Sequence, residues 1–119
     1  MDKIPNSKRY DLGERTARFA KKVAVYVNDL PRTISNIEIG KQLMRAAGST
    51  GANYIEAEEA LSKKDFAMRI KISRKESKES RYWIVLSEPR AERQKEKDEL
   101  AQEATELTKI FGSIVEKSQ

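Results

Sequence analysis

Glu56, Glu59, Glu76 and Glu79 stand in two pairs, each three residues apart. On a helix that spacing puts both carboxylates of a pair on one face. Inward-facing glutamates are what di-iron and di-manganese bundles use to hold their metals, together with a Glu-x-x-His pair from each of two helices. This chain has no histidine, so no di-metal site, and no metal or other cofactor, is expected. Cysteine is also absent, which removes thiolate nucleophiles and zinc-thiolate centres. A serine nucleophile would need lysine as its base, and the nearest arrangement, "SRKESK" at 73–78, reads as a helix face. "GSTG" at 48–51 lacks the lysine of a phosphate-binding loop. With no catalytic constellation left, the chain reads as a non-enzyme.

Charge is the remaining chemistry. Lysine and arginine number 24 against 19 acidic residues, giving a net charge of +5. That excess permits an acidic partner and is equally an ordinary solubility device. It is unevenly spread. Residues 62–81 carry eight basic and three acidic side chains, and residues 1–30 carry seven and four. Lys71, Arg74, Lys75, Lys78 and Arg81 fall on one outward arc of a helix. Arg15, Arg18, Lys21 and Lys22 crowd the solvent side of another. These nine residues are the candidate contacts to RNA or DNA. Tyr82 apart, neither set is interleaved with aromatics, so contact to phosphates is expected rather than reading of bases. Two readings stay open: a basic accessory module that binds nucleic acid, or a structural or protein-interaction oligomer with no nucleic-acid partner.

The elements that must position these groups are helical. A 119-residue chain with 38% hydrophobic and 36% charged residues suits one domain of long amphipathic helices. No apolar run approaches the ~20 residues of a membrane span. The opening "MDKIPNSKRY" lacks the apolar core of a signal peptide, so a soluble cytoplasmic protein is expected. Helical periodicity predicts helices over residues 11–30, 36–60, 63–88 and 90–116. Asp11 with Glu14, and Ser35 with Glu38, fit capping boxes for the first two; Ser62 is the cap of the third. Pro31 and Pro89 act as stops. The segment 87–99, "SEPRAERQKEKDE", is either a solvated loop or an exposed start to the fourth helix. Short connections between four such helices predict an all-α, antiparallel up-down-up-down four-helix bundle. Its core is predicted to contain Phe19, Val23, Leu43, Ile70, Ile84, Leu107 and Phe111.

Two stretches depart from simple amphipathic patterning. "AAGSTGAN" at 46–53 puts two glycines inside the second helix, at about 1 kcal/mol each relative to alanine. Either a loop splits the helix there, or a neighbouring backbone comes close. "SRKESKESRYWIVL" at 73–86 is polar where a core helix should be apolar. The polar residues are nevertheless sorted. Ser73, Ser77 and Ser80 continue the core stripe, Glu76 and Glu79 share a second stripe with Trp83, and the basic residues face out. If the two glutamates are buried they need Arg45 or Asn53 as partners; otherwise they sit at a solvated edge. Tyr82 and Trp83, like Tyr54 and Ile55, diverge from one another on their helices. Some of this apolar surface is expected to be buried by self-association.

The segments "QLMRAAGSTGANYIEAEEA" (42–60), "SKKDFAMRIKISRKESKESRYWIVL" (62–86) and "ELAQEATELTKIFGSIV" (99–115) together resemble the proteins encoded by intervening sequences of 23S ribosomal RNA genes, the S23-type family. The resemblance runs from about Asp11 to Val115. It implies a four-helix bundle, a homo-oligomer of which pentamers are known, and no established enzyme activity. A related branch is the basic pentameric accessory protein of diversity-generating retroelements, which implies nucleic acid and a reverse transcriptase as possible partners. By matching position, Arg45, Asn53, Glu56, Glu76, Glu79 and Trp83 are this sequence's versions of the family's characteristic polar and aromatic residues. Arg45, Asn53, Glu56, Glu76 and Glu79 are expected to form a structural polar cluster. Many members carry glycine after the second helix's glutamate, where this chain has Ala57.

Overall fold

Two prolines follow helix ends, and a serine cap sets where one helix starts. In a computed structural model of the protein, which describes the backbone of residues 3–118 and the side chains of residues 12–118, α1 spans Lys3–Asp29, α2 Ile34–Glu58, α3 Lys63–Leu86 and α4 Gln94–Lys117. Ser62 caps α3 by accepting from the Asp65 N–H, as its sequence position predicts. Successive helices run antiparallel. α1 and α3 each pack on α2 and α4, and lie diagonally, with no close backbone approach between them among the described residues. The fold is the all-α bundle expected.

All seven expected core residues are at most 1% exposed. Tyr26, Leu12 and Leu100 extend that core toward the bundle ends, and Tyr54 tilts against Phe111 with ring centroids 6.2 Å apart. The glycine-containing stretch of α2 is unbroken helix. A Cβ on Gly51 would lie 2.8 Å from Thr16 Oγ1 of α1, so the close-approach reading holds there; Gly48 faces open space. Ser73, Ser77 and Ser80 are fully buried. Ser73 donates to the Thr50 carbonyl across the α2–α3 contact at 2.9 Å, whereas Ser77 and Ser80 donate to the Ser73 and Glu76 carbonyls of their own helix. Small hydroxyls at these positions let α2 and α3 approach while leaving no buried donor unpaired.

Helix ends differ from expectation in four places. α1 continues back to Lys3, so position 11 lies inside the helix rather than at its start; the Asp11 side chain lies outside the described residues. Pro5 falls in the first turn, where a missing N–H breaks no helical bond. The cap of α2 is Thr33, accepting from the Asn36 N–H at 3.1 Å, rather than Ser35. α3 ends at Leu86, where the Ser87 N–H closes on Trp83 and Ile84 carbonyls. α4 begins at Gln94 after a single 3-10 turn, Ala91–Arg93, so the charged segment is part turn and part exposed helix.

Asn36, in the first turn of α2, fastens that turn to the rest of the bundle. Its buried amide donates to the Pro31 and Glu88 carbonyls, and its oxygen accepts the Glu88 N–H, all at 3.0–3.1 Å. A short polar side chain thereby joins the α1–α2 and α3–α4 connections. Beside it the Tyr26 hydroxyl meets Ser87 Oγ, Lys97 donates to the Ser87 carbonyl at 2.9 Å, and Arg93 pairs with Asp29 at 3.1 Å. All four helices are tied together at this end.

Candidate nucleic-acid interface

α3 presents different chemistry to each neighbour. Toward α2 it sends Glu76 and Glu79. Arg45 Nη2 lies 3.4 Å from Glu76 Oε1 and bonds Glu79 Oε2 directly. The Trp83 indole N–H donates to the same Glu79 oxygen at 3.0 Å. Glu76 is 5% exposed, so the buried alternative holds for it, while Glu79 is half-buried at the edge of the seam. The indole and guanidinium donors hold the Glu79 carboxyl below the usual carboxylate range, and the two carboxylates in turn raise the Arg45 guanidinium.

Of the expected polar cluster, Arg45, Glu76 and Glu79 come together. Asn53 does not join them. Its oxygen accepts from Arg69 Nη1 at 2.9 Å and its amide donates to Ser49. Arg69 was missed because only the antiparallel register about the 59–62 turn places it opposite Asn53. Glu56 is exposed on the outer side of α2, so the four carboxylates that suggested a metal site are not gathered. Among the described residues no group of three or more metal-ligating side chains converges. Among the same residues, no helix is long and apolar enough to cross a membrane.

The basic candidates divide. Arg15 is not a free cation. Its Nε donates to Glu103 Oε2 at 2.7 Å, and its Nη2 reaches Glu103 Oε1 at 2.9 Å and Glu106 Oε1 at 2.7 Å. It ties α1 to α4, and these carboxylates push its pKa up. Arg74 also leaves the outward arc: it is half-buried, and its side chain lies over Gly112 of α4. The other seven, Arg18, Lys21, Lys22, Lys71, Lys75, Lys78 and Arg81, are exposed. Lys75 alone among them makes an ion pair in the described residues, with Glu76 at 3.8 Å, while Arg18 and Lys22 share a surface pocket with Glu96, Glu99 and Glu103 of α4. Lys64 is exposed one heptad before Lys71 and lengthens the α3 row.

Because α1 and α3 are diagonal, their two basic sets face away from one another. The α3 set is the better formed. Lys71, Lys75, Lys78 and Tyr82 recur at helical spacing on one outer face. The two glutamates of α3 are turned toward Arg45, and Asp65 lies in the first turn, so the face that carries Lys71, Lys75 and Lys78 is positive although the helix contains acidic residues. Such an arrangement can attract phosphates without offering a reacting group.

The model of the 23S rRNA-intervening sequence protein family matches residues 8–113. Among solved structures, the crystal structure of a protein of unknown function from the S23 ribosomal protein family of Bacteroides thetaiotaomicron superposes with a TM-score of 0.76 at 26% identity, covering 92% of this chain and 98% of that one. The comparison with curated proteins finds no match.

Proposed function

This chain belongs to the 23S rRNA-intervening sequence protein family, and from that membership we propose that it is a non-enzymatic, self-associating module that binds RNA or DNA through its basic outer faces, as an accessory factor. The observation that carries the reading is the α3 row: Lys71, Lys75, Lys78 and Arg81 are exposed on a helix whose own glutamates are turned toward Arg45 of α2. Lysines and arginines so presented bind phosphates with little regard to sequence, and each neutralised phosphate releases a counterion. Repetition of the row in an oligomer adds weak contacts through multivalency.

Titration of RNA and DNA against the protein over a range of salt tests this. Affinity is expected to fall steeply with salt. Replacing Lys71, Lys75 and Lys78 by glutamate is expected to weaken all sequences alike while the helical spectrum stays unchanged. Absence of binding at low salt would overturn the reading.

A second reading, a structural or protein-interaction oligomer with no nucleic-acid partner, is favoured by Tyr82, Val85 and Leu86, which are 57%, 46% and 43% exposed near the end of α3. Both readings require self-association. A monomer by light scattering at high micromolar concentration would remove that part of each.

A further inference from the structure

Tyr82 is the exposed aromatic on the basic face of α3. It lies four residues after Lys78 and seven after Lys75, and therefore on their side of the helix. Helical side chains lean toward the N-terminus and cover the preceding turn, so the phenol leans over the turn that carries Lys78. It is more than half exposed, at 57%.

The ring is braced. It meets Trp83 in an edge-to-face contact, centroids 5.0 Å apart and planes at 69°. Such a contact covers at most one face of the phenol. Trp83 is held by the Glu79 carboxylate, and Glu79 by Arg45 of α2. A chain of contacts from the bundle wall thus steadies an aromatic face that projects into solvent between cations.

From this we infer that Tyr82 is a stacking platform for an unpaired nucleobase, with Lys75 and Lys78 holding the adjoining phosphates, so that the ligand class is single-stranded rather than duplex nucleic acid. Every base offers a π-face, so stacking adds affinity without sequence preference. In a duplex the bases are already stacked on one another, and only the lysines would act. The inference rests on the nucleic-acid reading above and narrows it.

The test compares a short oligouridylate alone and annealed to oligoadenylate, by fluorescence anisotropy at low salt. The single strand is expected to bind more tightly. Tyr82→Ala is expected to lower single-strand affinity about tenfold and leave duplex affinity unchanged, and Tyr82→Phe to retain both. The chain's one tryptophan, Trp83, provides a second readout. Its emission should be quenched when the single strand binds the parent protein and not when it binds Tyr82→Ala. Equal affinity for both ligands, unaltered in Tyr82→Ala, would overturn the stacking inference and leave phosphate binding standing. No binding of either ligand would overturn both. Dissociation of the oligomer in Tyr82→Ala, seen by light scattering, would assign Tyr82 to a protein contact and overturn the inference.

Discussion

The Tyr26 hydroxyl lies 2.5 Å from Ser87 Oγ, and Ser87 Oγ donates onward to the Ile84 carbonyl at 2.6 Å. With that serine proton committed to Ile84, Tyr26 is the donor, and its phenol must be neutral. Burial pushes it above the ordinary tyrosine range, with Glu96 and Asp98 adding to the effect. A group whose folded pKa is raised gives stability that is complete below the unfolded pKa of about 10 and is lost as pH rises through the folded value. Thermal stability is therefore expected to decline above about pH 10. Tyr26→Phe should lower stability by about 1 kcal/mol at neutral pH and flatten that decline. Thermal melts across the alkaline range measure both.

Two glycines in α2 give opposite expectations. Gly48→Ala adds a Cβ into open space and should stabilise by up to about 1 kcal/mol through helix propensity. Gly51→Ala puts a Cβ against Thr16, whose hydroxyl is already fixed to the Leu12 carbonyl at 2.7 Å. Overpacking of about 1–3 kcal/mol should outweigh the propensity gain. Urea denaturation of the two variants should give midpoints on either side of the parent's, and Thr16→Ala should recover part of the loss in Gly51→Ala.

Arg45→Ala leaves the buried Glu76 with only Lys75 nearby, at 3.8 Å. Losing the partner of a fully buried charge costs about 3–5 kcal/mol. Arg45 is half exposed, and solvent screening reduces this to about 1–2 kcal/mol. Glu76→Gln in the same background should recover part of the loss. Glu79 adds a pH signature. Its lowered pKa gives stability present above the unfolded value of about 4.5 and lost as pH falls through the folded one. Trp83→Phe, which removes the indole donor, should weaken that acid dependence. Melts between neutral and acid pH would show it.

Arg15 and the α3 lysines should behave as different classes. Arg15→Ala removes a three-bond tie between α1 and α4 and should lower the melting temperature by a few degrees, with little change in RNA or DNA affinity. Lys71→Glu with Lys78→Glu should do the reverse. Parallel melts and binding titrations separate them.

The core was legible because large apolar residues recur at helical period on each helix, and one stripe per helix suffices to assign an interior. The buried serines were legible for a related reason: Ser73, Ser77 and Ser80 stand at stripe positions, and a small residue there implies a close neighbour. Arg15 was not legible. From α1 alone it resembles Arg18, and the difference lies in Glu103, 88 residues away. Asn36 was equally hidden. Near a helix start it passes for a cap, while its bonds reach Glu88 across the bundle. Local pattern gives the face of a helix; which polar group faces which requires the packing of distant helices. That is why the basic faces were found and two of their nine members misplaced.

The bonds between α2 and α3 form successive rungs: Asn53 to Arg69, Thr50 to Ser73, and Arg45 to Glu76 and Glu79. They lie 16 to 34 residues apart in sequence, across one short turn. A slip of one residue between the helices would break all of them together. Closing so short a loop costs little chain entropy, and local contacts form early in folding. The hairpin is thus suited to be the folding nucleus, with α1 and α4 added later. Ser73→Ala should slow folding, and Arg15→Ala should mainly hasten unfolding. The two arms of a stopped-flow chevron would separate these effects, and a Ser73→Ala variant with unaltered folding rate would place the nucleus elsewhere.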